Sequence, residues 1–154
     1  MSDRIVNITW EGPFDTRVLD AEPRPLVLSK SGLYQIYGHH VVFGPGSMLY
    51  IGMVAGGERT FCVRLAEHMQ RWLRLENEVH LRFGYVAGTL PNGVTLADVE
   101  ALTIWWHSPP YNSSKIWTRP TAEFRVRNTG AVGRLHHEYS VWPDETQVPP
   151  SDPD

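Results

Sequence analysis

The stretch GLYQIYGHHVVFGPGSMLYIG, residues 32–52, decides how this chain folds. Two short apolar runs, each with a tyrosine and a glycine, flank a Gly44-Pro45-Gly46 break. Alternation puts Tyr34 and Ile36 on one face of the first arm, with Leu33, Gln35 and Tyr37 on the other. In the second arm Met48 and Tyr50 oppose Leu49 and Ile51. The pattern predicts a β-hairpin turning at the Gly-Pro-Gly, in a register that can bring Tyr34 and Tyr50 to the same face. A cross-strand aromatic pair is the ordinary meaning of such an arrangement.

Upstream, RIVNITW at residues 4–10 reads as a strand, and EPRP at 22–25 breaks the chain before the hairpin. Downstream, TFCVRLAEHMQRWLRLE at 60–76 carries Phe61, Cys62, Leu65, Ala66, Met69, Trp72 and Leu73 as one apolar stripe at helical spacing. Arg64, His68 and Arg71 run opposite that stripe. VHLRFGYVAG alternates like a strand, and Thr95 with Asp98 forms a capping signature that opens the helix LADVEALTIWWH, stopped by SPPYN. The end, EFRVRNTGAVGRLHHEYSVW, reads as two strands around an Asn-Thr-Gly turn. The expected fold class is α/β (α+β), a single domain on a largely antiparallel sheet.

Composition narrows the function classes. Hydrophobic residues at 42% and charged residues at 20% describe an ordinary globular protein. No apolar run nears the ~20 residues of a membrane span, and the N-terminus has no secretory pattern. One cysteine, Cys62, excludes an internal disulfide or a cysteine-built metal site and points to a reducing cytoplasmic setting. The formal net charge is −3, but the tail beyond Trp142 holds Asp144, Glu145, Asp152 and Asp154 without a base. Residues 30–142 carry eleven Lys and Arg against eight Asp and Glu, a net of +3 that permits a nucleic-acid partner without requiring one.

Glu100 is the unexpected residue. Beyond Asp98 in the first turn it is the sole charge from Leu96 to Trp106, in a helix apolar nearly all round. Such a helix is expected to be buried, and a buried carboxylate needs a cationic partner or a metal. A salt bridge to an arginine is as good a reading from the helix alone.

Taken in order, Gly32-Leu33-Tyr34, Tyr50-Ile51-Gly52, Arg64 with His68 one turn on, Glu100, and Pro110-Tyr111-Asn112 resemble the GIY-YIG nuclease superfamily. The resemblance covers roughly residues 32–112. It implies a small three-stranded antiparallel sheet flanked by helices over residues 31–120. An N-terminal extension over 1–30, a β-hairpin extension over 121–142 and an acidic, proline-rich tail over 143–154 would surround it. It also implies an Mg²⁺-dependent endonuclease, with Mn²⁺ as a substitute, that hydrolyses phosphodiester bonds of DNA, less often RNA, and leaves a 5′-phosphate and a 3′-hydroxyl.

By position, Glu100 resembles the carboxylate metal ligand and Arg64 the residue that grips the scissile phosphate. Tyr34 resembles the group that activates or orients the attacking water. Tyr50 and His68 resemble its hydrogen-bonding neighbours, and Asn112 the asparagine that fixes the site. Lys30, Arg71, Lys115, Arg125 and Arg127 are candidate phosphate contacts, although arginine on the wet face of a strand is common. The spacer from Tyr50 to Arg64 is long, and its Gly56-Gly57 pair could reposition Arg64. Cutting both strands of a duplex would call for a homodimer, since one site cuts one strand. The alternative from another class is a non-catalytic module that binds nucleic acid or protein. A metal at Glu100 separates the two.

Overall fold

The computed structural model describes residues 4–113 and 119–141; Lys115 and the tail over 143–154 lie outside the described residues. Eight elements follow one another: β1 (Ile5–Asp15), β2 (Gly32–His40), β3 (Gly44–Val54), α1 (Phe61–Arg71), β4 (His80–Val86), α2 (Leu96–His107), β5 (Arg125–Gly130) and β6 (Glu138–Ser140), with short 3₁₀ turns between some of them.

The strands form one six-stranded sheet in the order β3-β2-β4-β1-β5-β6. This corrects the expected three-stranded antiparallel sheet. β3, β2 and β4 do pair antiparallel, but β1 adds to β4 antiparallel and to β5 in parallel, with Val6 opposite Val126. The sheet is therefore mixed, and it dominates the described residues, which hold two α-helices. Strand β1 joins because Val6, Ile8 and Trp10 alternate into the core. Its segment, expected as an extension, lies inside the sheet.

Local corrections follow from hydrogen bonds that the strand pattern does not contain. The hairpin turns at residues 41–43, upstream of the Gly-Pro-Gly. His40 Nδ1 accepts the backbone N–H of Val42 (3.1 Å) and of Phe43 (3.2 Å), which closes the turn early and leaves Gly44 paired with His40. Between Ile36↔Tyr50 and Tyr37↔Met48 the register shifts, so Leu49 is the extra residue of a bulge. Met48 therefore joins Ile51 in one core cluster instead of sharing a face with Tyr50. The Asn128-Thr129-Gly130 tripeptide is strand, not turn, because Thr129 and Gly130 pair with Thr9 and Trp10 of β1.

The core lies on both faces of the sheet. Leu33 and Ile51 pack with Val99, Leu102 and Ile104 of α2; Tyr34, Ile36 and Phe83 pack with Phe61 and Leu65 of α1. Residues 99–104 of α2 are all buried, as its apolar sequence requires, and Thr95 and Asp98 form the expected capping box. Helix α1 ends at Arg71 and gives way to a 3₁₀ turn at Leu73–Leu75. Its buried face includes His68 while Ala66 is exposed, which reverses the expected stripe at those two positions. The reason is polar: His68 is held from two sides, as the site shows.

Candidate active site

Two glycines of the opening motif are there because other atoms occupy their Cβ positions. A Cβ on Gly32, whose φ is +149°, would lie 2.0 Å from the Gly84 carbonyl oxygen. One on Gly52 would lie 2.3 Å from the Tyr34 ring. Gly52 pairs with Tyr34 across the β2–β3 ladder, and the phenol lies over it. The Tyr50 ring sits diagonally alongside, with its centroid 6.0 Å from that of Tyr34.

Helix α1 brings His68 onto this pair. Its Nε2 is 2.8 Å from the Tyr34 hydroxyl, and its ring lies 5.1 Å from Tyr50. On the other side the indole N–H of Trp72 donates to His68 Nδ1 at 3.0 Å. An indole nitrogen can only donate, so Nδ1 must accept and the neutral ring carries its proton on Nε2. His68 therefore donates to the Tyr34 oxygen. A donor aimed there favours negative charge on the phenol oxygen and leaves the hydroxyl proton free to point elsewhere.

Electrostatics agree with a neutral ring. Burial, with the nearby Arg64 charge, holds the His68 pKa down at about 4. Burial pushes the Tyr34 phenol well above its usual range and Tyr50 adds to the rise, while the positive charge of Arg64 opposes it. Tyr34 is thus a neutral phenol at rest. Burial also lowers the pKa of His107 to about 4; its Nδ1 faces the Thr103 carbonyl at 2.7 Å and its Nε2 accepts the His136 N–H at 3.0 Å.

These two histidines set a pH dependence. The unfolded chain takes up their protons near pH 6.5, the folded chain only near 4, so acidification favours unfolding in that window. Stability should be full above pH 6.5 and fall steadily toward pH 4, by up to ~1.4 kcal/mol per pH unit for each histidine. Chemical denaturation across that range checks it, and a His68→Gln variant should flatten the slope.

Arg64 lies one turn before His68. Its guanidinium meets Glu67 at 2.7 Å, and Glu67 also meets Arg59 at 3.0 Å. The long spacer with Gly56-Gly57 does not carry Arg64 away from Tyr34. Asn112 is clamped to β3: its Oδ1 accepts the Ile51 N–H at 3.0 Å and its Nδ2 donates to the Ile51 carbonyl at 2.8 Å. With Tyr111 N–H on the Leu49 carbonyl (2.9 Å), it satisfies the outer edge of that strand beside Tyr50.

Glu100 is buried at 9% exposure on α2, the helix that packs against β3. Among the described residues no group of three or more His, Cys, Asp or Glu is gathered for a metal. A cation at Glu100 would complete its shell with water and phosphate oxygens. A carboxylate is a hard oxygen donor of the kind Mg²⁺ takes; α2 itself packs with Leu33 and Ile51, on the sheet face opposite the one that carries Tyr34 and α1.

The basic candidates fare differently. Arg125 and Arg127 both pair with Glu138, at 2.8 and 3.5 Å. The Lys30 amine sits 3.9 Å over the Tyr85 ring. Arg71 is exposed at the end of α1. Glu67 and Trp72 were not expected in the site, and their one signal was helical spacing, three residues from Arg64 and four from His68; Tyr111 stood only as the middle of Pro110-Tyr111-Asn112.

Compared with known families, characterised proteins and solved structures, the chain shows no significant match. No helix among the described residues is long and apolar enough to cross a membrane.

Proposed function

We propose that this protein is a metal-dependent endonuclease acting on nucleic acid, DNA first, with chemistry of the GIY-YIG type. The observation that carries the reading is the meeting of Tyr34, Tyr50, His68 and Arg64, four polar residues from two strands and one helix, on one face of the sheet. Arg64 binds the scissile phosphate through its planar fork and offsets charge as it builds there. Tyr34 orients the attacking water, and His68 donates to the Tyr34 oxygen so that it can take on negative charge. Water oxygen bonds to phosphorus and gives up a proton to solvent, the bond to the 3′-oxygen breaks and that oxygen takes a proton from solvent, so that a 5′-phosphate and a 3′-hydroxyl remain. Glu100 would hold Mg²⁺ or Mn²⁺, whose role is Lewis-acid stabilisation of phosphate and leaving group. A cytoplasmic setting and a dimer for double-strand cutting belong to the same proposal.

Plasmid, single-stranded DNA and RNA should be tested for cleavage with Mg²⁺ or Mn²⁺. Wild type should cut, chelator should stop it, and Glu100→Gln should lower the rate at least about 10²-fold. Cutting by wild type that persists in chelator, or in Glu100→Gln, would defeat the metal assignment. A second reading, a binding module without catalysis, has one observation on its side: Glu67 occupies the Arg64 guanidinium that phosphate would need. Binding without cutting on every substrate would favour it.

A further inference from the structure

We propose that the cleft between Tyr50, Trp72, Tyr111 and Glu76 receives one unpaired nucleobase, so that the substrate is a strand that is single or opened at the cut. This rests on the nuclease reading above and names its substrate. The cleft has a volume of about 310 Å³, at the small end of the ~300–1,000 Å³ of ligand pockets, which suits one planar ring system. Its three aromatic walls meet tilted or edge-on: Trp72 lies 6.1 Å from Tyr50 at 59° and 5.5 Å from Tyr111 at 81°. None of the three is stacked face to face on another, and Tyr111 is 38% exposed, so a guest ring stacking on Tyr111 displaces no stacked pair.

Charge decides between base and phosphate. Among the described residues, Glu76 is the one acidic or basic side chain lining the cleft. A carboxylate repels phosphate and accepts hydrogen bonds from the amino and imino groups of a base. Position ties the cleft to the chemistry, because Tyr50 is both its wall and the neighbour of Tyr34 and His68. A base held there would belong to a nucleotide next to the reacting phosphate.

The aromatic surface continues outward from the cleft. The Tyr111 ring is 5.8 Å from that of His40, which stacks on Phe43 at 4.8 Å. Phe43 ends the β2–β3 turn with Val41 and Val42, all three exposed. An apolar tip at the end of an aromatic track has the form of a side-chain wedge that parts base steps.

The test measures binding by fluorescence anisotropy in chelator, where metal-dependent cutting is off. The ligands are a labelled single-stranded oligonucleotide, its matched duplex, the same duplex with a small bulge, and the single strand carrying abasic sites. Single strand and bulged duplex should bind at least ~10-fold tighter than matched duplex, and abasic sites should abolish the advantage. Tyr111→Ala should lose that ~10-fold without weakening duplex binding, and Tyr111→Phe should retain it, which separates stacking from loop damage. Equal affinity for matched duplex and single strand, or an advantage untouched by both abasic sites and Tyr111→Ala, would overturn the proposal. Cutting of matched duplex without preference sinks the base pocket but leaves the nuclease. Base-dependent binding without cutting in Mg²⁺ or Mn²⁺ sinks the nuclease but leaves the pocket.

Discussion

Arg64→Ala should reduce cleavage by about 10³-fold or more while the protein stays folded. Removing a preorganised donor from a developing oxyanion costs ~10²–10³ in rate, and an arginine acting on a transferring phosphoryl group ~10³–10⁵. The structural loss is small. The Arg64 side chain is 25% exposed and Glu67 37%, so theirs is a solvent-screened surface pair that adds little to stability. Glu67 also keeps Arg59 as a partner, so the variant leaves no carboxylate unpaired. Arg64→Lys should rescue little of the rate, because an ammonium cannot reproduce the bidentate fork. Single-turnover cleavage beside a thermal melt checks this. An Arg64→Ala protein that melts like wild type and cuts at a rate within tenfold of it would remove Arg64 from the mechanism.

Gly52→Ala should be the most damaging small substitution in the hairpin. Its new methyl would sit 2.3 Å from the Tyr34 ring, and that ring is 1% exposed, with Phe61 edge-on at 6.3 Å and His68 bonded to its hydroxyl. Neither partner yields cheaply. Overpacking of this kind costs ~1–3 kcal/mol, and a displaced phenol would forfeit the hydrogen bond from His68, worth ~1 kcal/mol. The sum, about 2–4 kcal/mol, should lower the melting temperature by roughly 5–15 °C and disable cleavage along with it. In a Tyr34→Ala background the clash is gone, so Gly52→Ala should then cost less than ~1 kcal/mol. A double-mutant cycle reads the difference, and equal cost in both backgrounds would refute the clash.

How much of this was legible in the residues can be judged element by element. Helix α2 was readable end to end, because its capping box and the Ser108-Pro109-Pro110 stop are local chemistry. So was the approach of Tyr34 to Tyr50, which needs only the period of a strand. His68 was readable as a site residue but not as a buried one. The indole that holds it from behind comes from the end of α1, where the apolar stripe showed only packing. The Gly-Pro-Gly was misleading, since His40 closes the turn three residues before it ends.

By itself the sequence determined the hairpin, both helices and the order in which Tyr34, Tyr50, Arg64, His68 and Glu100 occur, all set by short-range periodicity and turn chemistry. Tertiary structure alone decided that β1 sits between β4 and β5. The parallel pairing of Val6 with Val126 spans nearly the whole chain and leaves no local signal. It alone decided the His68 tautomer as well, and the closing of an aromatic cleft by Tyr111. A hydrogen bond or ring contact between distant residues exists only once the sheet has brought them together.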